Sequence, residues 1–242
     1  LAAGRQLYVV ELSSFQLELI NDLKGAVACL LNISPDHMDR YKTLDDYVTA
    51  KQRIFQGAVS IVSNRDDSLI NLPSAEQSDV TTFGLDAPLE GQYGVTNHQD
   101  RDYLCCGDER LILVDSIAMK GRHNLANALA ALALGSAAGL KLSAVLDTLQ
   151  KFKGLPHRCE VVTTIDDVLF IDDSKGTNVG ATVAAIEGFG SESAPNLLLI
   201  AGGQGKVQDF NDLRSAVSRF VKCGIFYGED AQKIEDALQS TI

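Results

Sequence analysis

Short apolar segments alternate with amphipathic helical segments through the last third of the sequence. Strands are predicted over residues 160–165, 168–172, 196–202 and 223–228, and helices over residues 179–189, 210–221 and 229–239. Strands and helices that alternate at this spacing form a mainly parallel sheet with helices on its faces. The sequence therefore predicts an α/β fold. Because such a sheet normally continues beyond its last helix, we expect both ends of the chain to be truncated.

The first 152 residues add further strands, hairpins and helices to this pattern. Strands are predicted over residues 7–12, 26–33 and 59–63, β-hairpins between 69 and 117, and helices over 43–55, 123–138 and 142–152. Thr43 and Asp46 form an acidic variant of the capping box that begins a helix. A Gly-Leu-Pro-His segment at 154–157 follows the last of these helices, and strands resume after it. We therefore predict one domain over residues 1–154 and a second over residues 155–242.

The composition limits the class of protein. Of the 242 residues, 45% are hydrophobic and 22% are charged, which is typical of a globular chain. The net charge of −11 argues against non-specific binding to nucleic acid or to an anionic membrane. No apolar run approaches the roughly 20 residues that span a bilayer. The five cysteines are scattered and include no C-x-x-C pair, so we expect reduced thiols in a cytoplasmic protein.

Two polar clusters follow predicted strands, at the sheet edge where open α/β proteins bind ligands. Glu11 lies at the end of the strand predicted over 7–12, and His37 lies after the next strand, between Asp36 and Asp39. Carboxylate oxygens suit Mg²⁺, and a neutral imidazole can complete its coordination. The residues alone leave two structural alternatives open beside metal binding. Glu11 would then cap the next helix, and His37 would be a solvated residue of a turn.

Further polar groups either bind ligands or stabilise local structure. Asn124 and Asn127 lie one turn apart at the start of a helix, which suits a purine edge or a backbone turn. The loops at 171–178 and 201–206 each follow a strand. Each contains a lysine and backbone amides that could bind an anion. The alternative for each loop is a capped turn without a ligand. Neither loop is a Walker A sequence. Lys51 lies within a predicted helix, where a lysine is most often a solvated side chain.

Six motifs, in this order, closely resemble those of the Mur ligases: ELSSFQLE at 11–18, LNISPDHMDRY at 31–41, GRHNLANALAALAL at 121–134, GLPHRCE at 154–160, DDSKGTNVGAT at 172–182 and GGQGK at 202–206. The resemblance covers essentially the whole chain. It implies a central Mur-ligase-type ATPase domain, made of a parallel sheet with helices and a small β-rich subregion, that lacks its N-terminal P-loop. It implies that a truncated, Rossmann-like α/β domain follows.

The resemblance also implies roles for individual residues. Three residues would form a site for Mg²⁺: Glu11, His37 and Lys51, the last as a carbamate. Four would contact ATP: Asn124, Asn127, Arg158 and Asp173. Two would lie near the muramoyl-alanine end of the nucleotide substrate: Ser13 and Gln16. Three would face phosphates or the carboxylates of D-glutamate: Lys175, Thr177 and Lys206. Three of these residues would take part directly in the chemistry: Lys51, His37 and Lys175.

The motifs are most similar to those of family members that use ATP and Mg²⁺ to add D-glutamate to UDP-N-acetylmuramoyl-L-alanine. This reaction passes through an acyl phosphate and belongs to peptidoglycan precursor synthesis. The resemblance implies a cytoplasmic, monomeric ligase that binds neither nucleic acid nor membranes, and a fragment that is inactive alone. Three alternatives remain: another Mur ligase or a folylpolyglutamate-synthetase-like ligase, a non-catalytic remnant of the fold, and a metal-dependent hydrolase built on residues 36–39.

Overall fold

The computed structural model describes residues 7–73, 78–205, 208–239 and residue 241. We refer to residues 7–151 as the first region and to residues 157–239 as the second region. The strands of the first region are β1 (Val27–Leu30), β2 (Ser60–Asn64), β3 (Asp79–Phe83), β4 (Tyr93–His98), β5 (Arg101–Cys106) and β6 (Glu109–Leu113). Its helices are α1 (Ser14–Glu18), α2 (Leu44–Gln52), α3 (Arg122–Ala137) and α4 (Leu142–Lys151), with 3₁₀ turns at Arg53–Phe55 and Val114–Ser116.

Within the described residues, the first region forms one six-stranded sheet whose strand order follows the chain. Strands β1 to β4 pair in parallel and β4 to β6 pair antiparallel, which confirms the predicted hairpins for the last three strands. Ile61 and Val62 are neighbours on β2 and point to opposite faces, yet both are 0% exposed. Helices α3 and α4 pack on one face, and α2 packs on the other with the turn that follows it. The sheet is therefore covered on both faces.

Helix α2 begins where the sequence predicts. The Thr43 hydroxyl accepts a hydrogen bond from the Asp46 N–H at 3.1 Å, and the Asp46 carboxylate accepts one from the Thr43 N–H at 3.1 Å. These two bonds confirm the capping box. The end of α3 is also as predicted, because Gly139 follows it with a φ of +72°, a conformation that glycine adopts at little energetic cost.

The strand predicted over residues 7–12 is not formed. Residues 7–13 have no regular secondary structure, and the side chain of Val9 is 96% exposed. An apolar segment becomes a strand only where a neighbouring strand satisfies its backbone groups. Among the described strands, β1 is at the edge of the sheet and pairs with β2 alone. Glu11 therefore lies in an irregular segment before α1, and the prediction that it ends a strand is wrong.

The second region contains β7 (Glu160–Ile165), β8 (Val168–Asp172), β9 (Leu197–Gly202), β10 (Val221–Tyr227), α5 (Val179–Phe189), α6 (Arg214–Phe220) and α7 (Ala231–Leu238). Strands β9 and β10 pair in parallel, as the alternating pattern predicts. Strands β7 and β8 pair antiparallel in a separate sheet, so the prediction of parallel pairing is wrong for them. Asp166 and Asp167 join these strands with φ angles of +47° and +63°. Such a two-residue turn forms a hairpin, whereas parallel pairing requires a long crossover.

Helices α5, α6 and α7 pack on β9 and β10 around a third apolar cluster that includes Ile186, Val217 and Leu238. The second region thus has its own core, as the sequence predicts for an α/β unit. The α/β fold class is confirmed for the chain. No helix of the described residues combines the length and the apolar character needed to cross a membrane.

Candidate functional site

Helix α5 brings the two regions into contact. A Cβ atom at Gly180 would lie 2.7 Å from the Cβ of Ser34, which belongs to the loop after β1. A Cβ atom at Gly188 would lie 2.4 Å from Nδ1 of His123, in the first turn of α3. Glycine permits such close approaches because it has no side chain. The loop after β1, the start of α3 and helix α5 therefore meet, and the polar motifs of the two regions become neighbours.

Lys51 has the surroundings least typical of a solvated helix lysine. It is half-buried on α2, and burial lowers the pKa of its amine, while the carboxylates of Asp36 and Glu11 act in the opposite direction. Its Nζ lies 5.7 Å from the centroid of the Tyr47 ring and makes no hydrogen bond or ion pair with any described residue. The amine of Lys51 is therefore only partly solvated and lies within electrostatic range of the Asp36 and Glu11 carboxylates.

His37 lies beside these residues on the loop after β1. Its φ of +55° is a left-handed conformation that few residues other than glycine adopt. Its Nε2 is 3.7 Å from Oδ2 of Asp36, and its ring packs on the Phe15 ring with centroids 4.8 Å apart. These contacts hold the imidazole next to the Asp36 carboxylate, while 42% of the side chain stays exposed to solvent.

An ion pair that sequence reasoning missed holds α1 against the same loop. Glu18 pairs with Arg40 and accepts a hydrogen bond from the Tyr41 hydroxyl at 2.8 Å. The hydrogen bond from Arg40, and then that from Tyr41, lowers the pKa of the Glu18 carboxyl. The Arg40 guanidinium also lies 4.8 Å from the centroid of the Phe15 ring. The opposite charges near the ends of ELSSFQLE and DHMDRY are the signal that could have identified this pair.

Ser13 and Gln16 bond to each other at the start of α1. The Ser13 hydroxyl accepts a hydrogen bond from the Gln16 N–H at 3.3 Å, and Oε1 of Gln16 accepts one from the Ser13 N–H at 2.9 Å. Together these bonds form a capping box. A structural role thus accounts for both residues, and their role in substrate binding stays a prediction.

Asn124 and Asn127 also contact each other, at the start of α3. Nδ2 of Asn124 donates to the Lys120 carbonyl at 2.7 Å, and Nδ2 of Asn127 donates to Oδ1 of Asn124 at 3.3 Å. Asn124 therefore stabilises the turn that precedes the helix, which is the structural alternative that the sequence left open. Asn127 is exposed and accessible to a ligand.

Two consecutive acids at the end of β8 bind the segment at 154–160. Oδ2 of Asp172 lies 2.8 Å from Nδ1 of His157, and Oδ1 of Asp173 accepts a hydrogen bond from the Cys159 N–H at 3.0 Å. The bond to His157 is the main reason why the pKa of Asp172 falls to about 2. Arg158 lies between the two bonded residues, with an exposed side chain.

The loop between β8 and α5 presents the remaining predicted residues. Lys175 and Thr177 are both exposed there. Lys175 immediately precedes Gly176, and Thr177 immediately precedes Asn178, the residue before α5. Oδ1 of Asn178 accepts a hydrogen bond from the Ala181 N–H at 2.8 Å and caps the helix. Lys206, in the other predicted anion-binding loop, lies outside the described residues. Binding by these residues stays a prediction.

Comparison with known proteins identifies the class to which this arrangement belongs. The family model for the Mur ligase middle domain matches residues 1–135, and that for the Mur ligase glutamate ligase domain matches residues 157–242. The chain belongs to the Mur ligase family. Among solved structures, MurF from Acinetobacter baumannii is similar with a TM-score of 0.68 and 20% identity, over 87% of this chain and 48% of that chain.

Curated relatives of this chain carry the name UDP-N-acetylmuramoylalanine–D-glutamate ligase. The one from Acinetobacter baylyi is 50% identical over 240 residues, which are 98% of this chain and 54% of the relative. The one from Legionella pneumophila (strain Paris) is 48% identical over 238 residues, 98% of this chain and 53% of the relative. The chain thus spans about half the length of the curated relatives that it matches.

Proposed function

We propose that this chain forms the middle and C-terminal parts of an ATP-dependent ligase that adds D-glutamate to UDP-N-acetylmuramoyl-L-alanine. Relatives with 48% and 50% identity carry the corresponding name. The structural observation that carries the proposal is the environment of Lys51, a partly desolvated amine within electrostatic range of Asp36 and Glu11. A lysine with no role beyond solubility is usually exposed on its helix, without partial burial and without nearby acids.

We propose that Glu11, His37 and Lys51 hold a magnesium ion. The donors would be the Glu11 carboxylate, the His37 imidazole and a carbamate on Lys51, a set rich in the oxygen ligands that Mg²⁺ prefers. Only a neutral amine forms a carbamate, so the burial that lowers the pKa of Lys51 favours the modification. Carbamylation would replace a cation with an anion and so complete a negative site. Mg²⁺ bound there would neutralise charge on the phosphoryl group that is transferred.

The other assignments divide between the two substrates and ATP. In this proposal four residues contact ATP: Asn124, Asn127, Arg158 and Asp173. The nucleotide-sugar substrate lies near Ser13 and Gln16 in the first region. Phosphates or the carboxylates of D-glutamate are bound by three residues: Lys175, Thr177 and Lys206. For Asp173, Oδ1 is already bonded to the Cys159 N–H, so Oδ2 would serve the ligand.

The reaction joins a carboxylate to an amine in two steps. A carboxylate oxygen of the alanine attacks the γ-phosphorus of ATP, so that ADP leaves and an acyl phosphate forms. The amine of D-glutamate then attacks the acyl carbon, and the tetrahedral intermediate releases inorganic phosphate as the nitrogen loses its proton. The cationic side chains of Arg158 and Lys175 would stabilise the negative charge that develops, which is the largest contribution expected in phosphoryl transfer.

We also propose that the whole protein acts as a cytoplasmic monomer, and that the 242-residue chain alone does not turn over ATP. The chain has no G-x-x-x-x-G-K-[ST] sequence to hold the phosphates. In this proposal the loop after β8 contacts only part of the phosphate groups of ATP.

The proposal is tested with the purified full-length protein, ATP, Mg²⁺ and UDP-N-acetylmuramoyl-L-alanine. D-glutamate, meso-diaminopimelate and L-lysine are supplied in turn, together with a separate assay on a folate acceptor, and products are identified by mass. We expect a product only with D-glutamate and only when ATP is present. A product with another acceptor would identify a different ligase of this fold, cleavage without ATP would identify a hydrolase, and no reaction would indicate a non-catalytic remnant.

A further inference from the structure

Two residues with a left-handed backbone flank Arg158. His157 has a φ of +63° and Cys159 a φ of +48°. For residues other than glycine, such a conformation is unfavourable and persists only where the surroundings fix it. Gly154 and Cys159 are half-buried and the other residues of the segment at 154–160 are exposed, so polar contacts rather than an apolar core must fix the conformation.

The loop after β8 supplies these contacts. The carboxylate of Asp172 bonds to Nδ1 of His157 at 2.8 Å, and that of Asp173 accepts the Cys159 N–H at 3.0 Å. Each of the two residues that flank Arg158 is therefore bonded to a different one of these carboxylates. The loop also donates a hydrogen bond to the segment, from the Lys175 N–H to the His157 carbonyl at 3.0 Å.

The His157 backbone N–H has a partner as well. It donates to the carboxylate of Glu160 at 2.9 Å, so that both backbone groups and one ring nitrogen of His157 are engaged. His157, Glu160 and Asp172 each place a ligand atom within 4.8 Å of the others, the spacing of a metal site. The hydrogen bonds among them already account for this proximity. His157 is thus the residue through which the 154–160 segment is joined to the loop after β8.

We propose that His157 is a positioning residue, whose hydrogen bond to Asp172 orients Arg158 relative to Lys175. We call this bond the His157–Asp172 clasp. The inference rests on the proposed function to the extent that Arg158 and Lys175 bind phosphates of ATP. The clasp itself is a property of this chain and is testable without turnover.

The strength of the clasp depends on the protonation of His157. Asp172 raises the pKa of the imidazole, Glu160 acts in the same direction, and Lys175 opposes them. An imidazolium always donates from Nδ1, whereas a neutral imidazole donates there in only one of its two tautomers. The clasp is therefore complete below the ordinary imidazole pKa of 6.5 and weakens as the pH rises through the raised value.

Two substitutions separate the hydrogen bond from the backbone conformation. His157→Gly removes the bond and adopts the left-handed φ freely. His157→Asn keeps both features, because asparagine tolerates this φ and its Nδ2 takes the place of the imidazole Nδ1. The amide does not titrate, so the bond becomes independent of pH. His98→Asn, at the exposed end of β4, is the matched control.

In the full-length protein, we expect His157→Gly to raise the KM for ATP about fivefold, which corresponds to one net hydrogen bond of about 1 kcal/mol. The KM for the nucleotide-sugar substrate should not change, because that substrate binds the first region. His157→Asn should restore the KM for ATP and abolish its increase at high pH, and His98→Asn should match the wild type. An unchanged KM for ATP in the glycine variant, or the same increase in both His157 variants, would overturn the proposal.

A second measurement does not need activity. NMR titration of the imidazole in the full-length protein should give His157 a pKa above the ordinary 6.5, and Asp172→Asn should remove the increase. A pKa that is the same in the two proteins would refute the clasp. A raised pKa in a protein that fails to ligate D-glutamate would support the clasp and refute the proposed function alone, so the two failures are distinguishable.

Discussion

The first and second regions hold their polar residues in place by different means. In the first region Ile61, Val62 and Leu104 are 0% exposed, and helices cover both faces of the sheet. In the second region every residue of β7 is exposed, and the residues of β9 alternate between half-buried and exposed. The first region is therefore stabilised around its strands, and the second is stabilised mainly around its helices.

This difference decides what positions the proposed site residues. Lys51 stands on a helix whose residues Tyr47, Val48 and Ala50 are buried in an apolar cluster. Arg158 stands on an irregular segment, and its position depends on hydrogen bonds made by its neighbours. Apolar packing does not depend on pH, whereas a bond between an imidazole and a carboxylate does. We infer that the Lys51 side of the proposed metal site is rigid and that the proposed phosphate-binding side is adjustable.

The largest effect is expected at Lys51, on the rigid side. In the full-length protein Lys51→Ala should lower kcat about 100-fold or more, because the proposed carbamate, an anionic group that would face Mg²⁺, is lost. Lys51→Arg should be equally inactive, since a guanidinium keeps its charge and forms no carbamate. Added acetate should restore part of the activity of the alanine variant only.

Turnover of these variants with and without acetate is the measurement, and Lys24→Ala, an exposed lysine of the first region, is the control. Near-wild-type activity of Lys51→Ala without acetate would show that Lys51 is an ordinary solvated lysine. The packing of helix α2 would then have no demonstrated role in positioning a catalytic group.

An intermediate effect is expected from apolar truncations in the two regions. Leu104→Ala should lower the free energy of unfolding of the 242-residue chain by about 2–5 kcal/mol, because Leu104 is fully buried. Leu169→Ala on β8 should lower it by less than about 1 kcal/mol, since that side chain is 46% exposed. Urea denaturation measures both values. Similar losses in the two variants would contradict the contrast in packing.

The smallest effect concerns the helix caps of the first region. Ser13→Ala and Thr43→Ala each remove a capping box, and each should lower the free energy of unfolding by about 1 kcal/mol. Only Ser13→Ala should also raise the KM for the nucleotide-sugar substrate, because Thr43 has no proposed ligand. Denaturation and steady-state kinetics of the full-length variants test this. If the two variants have the same KM, Ser13 is a cap and nothing more.

Much of the fold follows from local signals in the sequence. The capping box at Thr43, the glycine after α3 and the alternation of strands and helices after residue 160 all describe interactions between near neighbours, and the structure contains each of them. The segment at 7–12 has an apolar pattern, but a strand also requires a partner, and that partner is not specified locally. The antiparallel pairing of β7 and β8 was missed for a related reason. Two aspartates with positive φ form the turn, and their sequence alone does not predict it.

The candidate site was predicted less completely. The motifs predict roles for Glu11 and His37, and the family resemblance predicts one for Lys51. The burial of Lys51 depends on the long-range packing of α2 and could not be predicted from its helix alone. The Glu18–Arg40 pair and the bond between His157 and Asp172 join residues 22 and 15 positions apart. Such pairs depend on the route of the chain, which periodicity does not specify.

The two glycines of α5 restrict how the regions can move relative to each other. At Gly180 and Gly188 no side chain separates the helix from Ser34 or from the His123 ring, so the atoms there are already near van der Waals contact. At this contact the second region cannot approach the first more closely. A change in their relative orientation has to open the contact or slide α5 along its own axis, so at this contact the two regions can separate but cannot move closer.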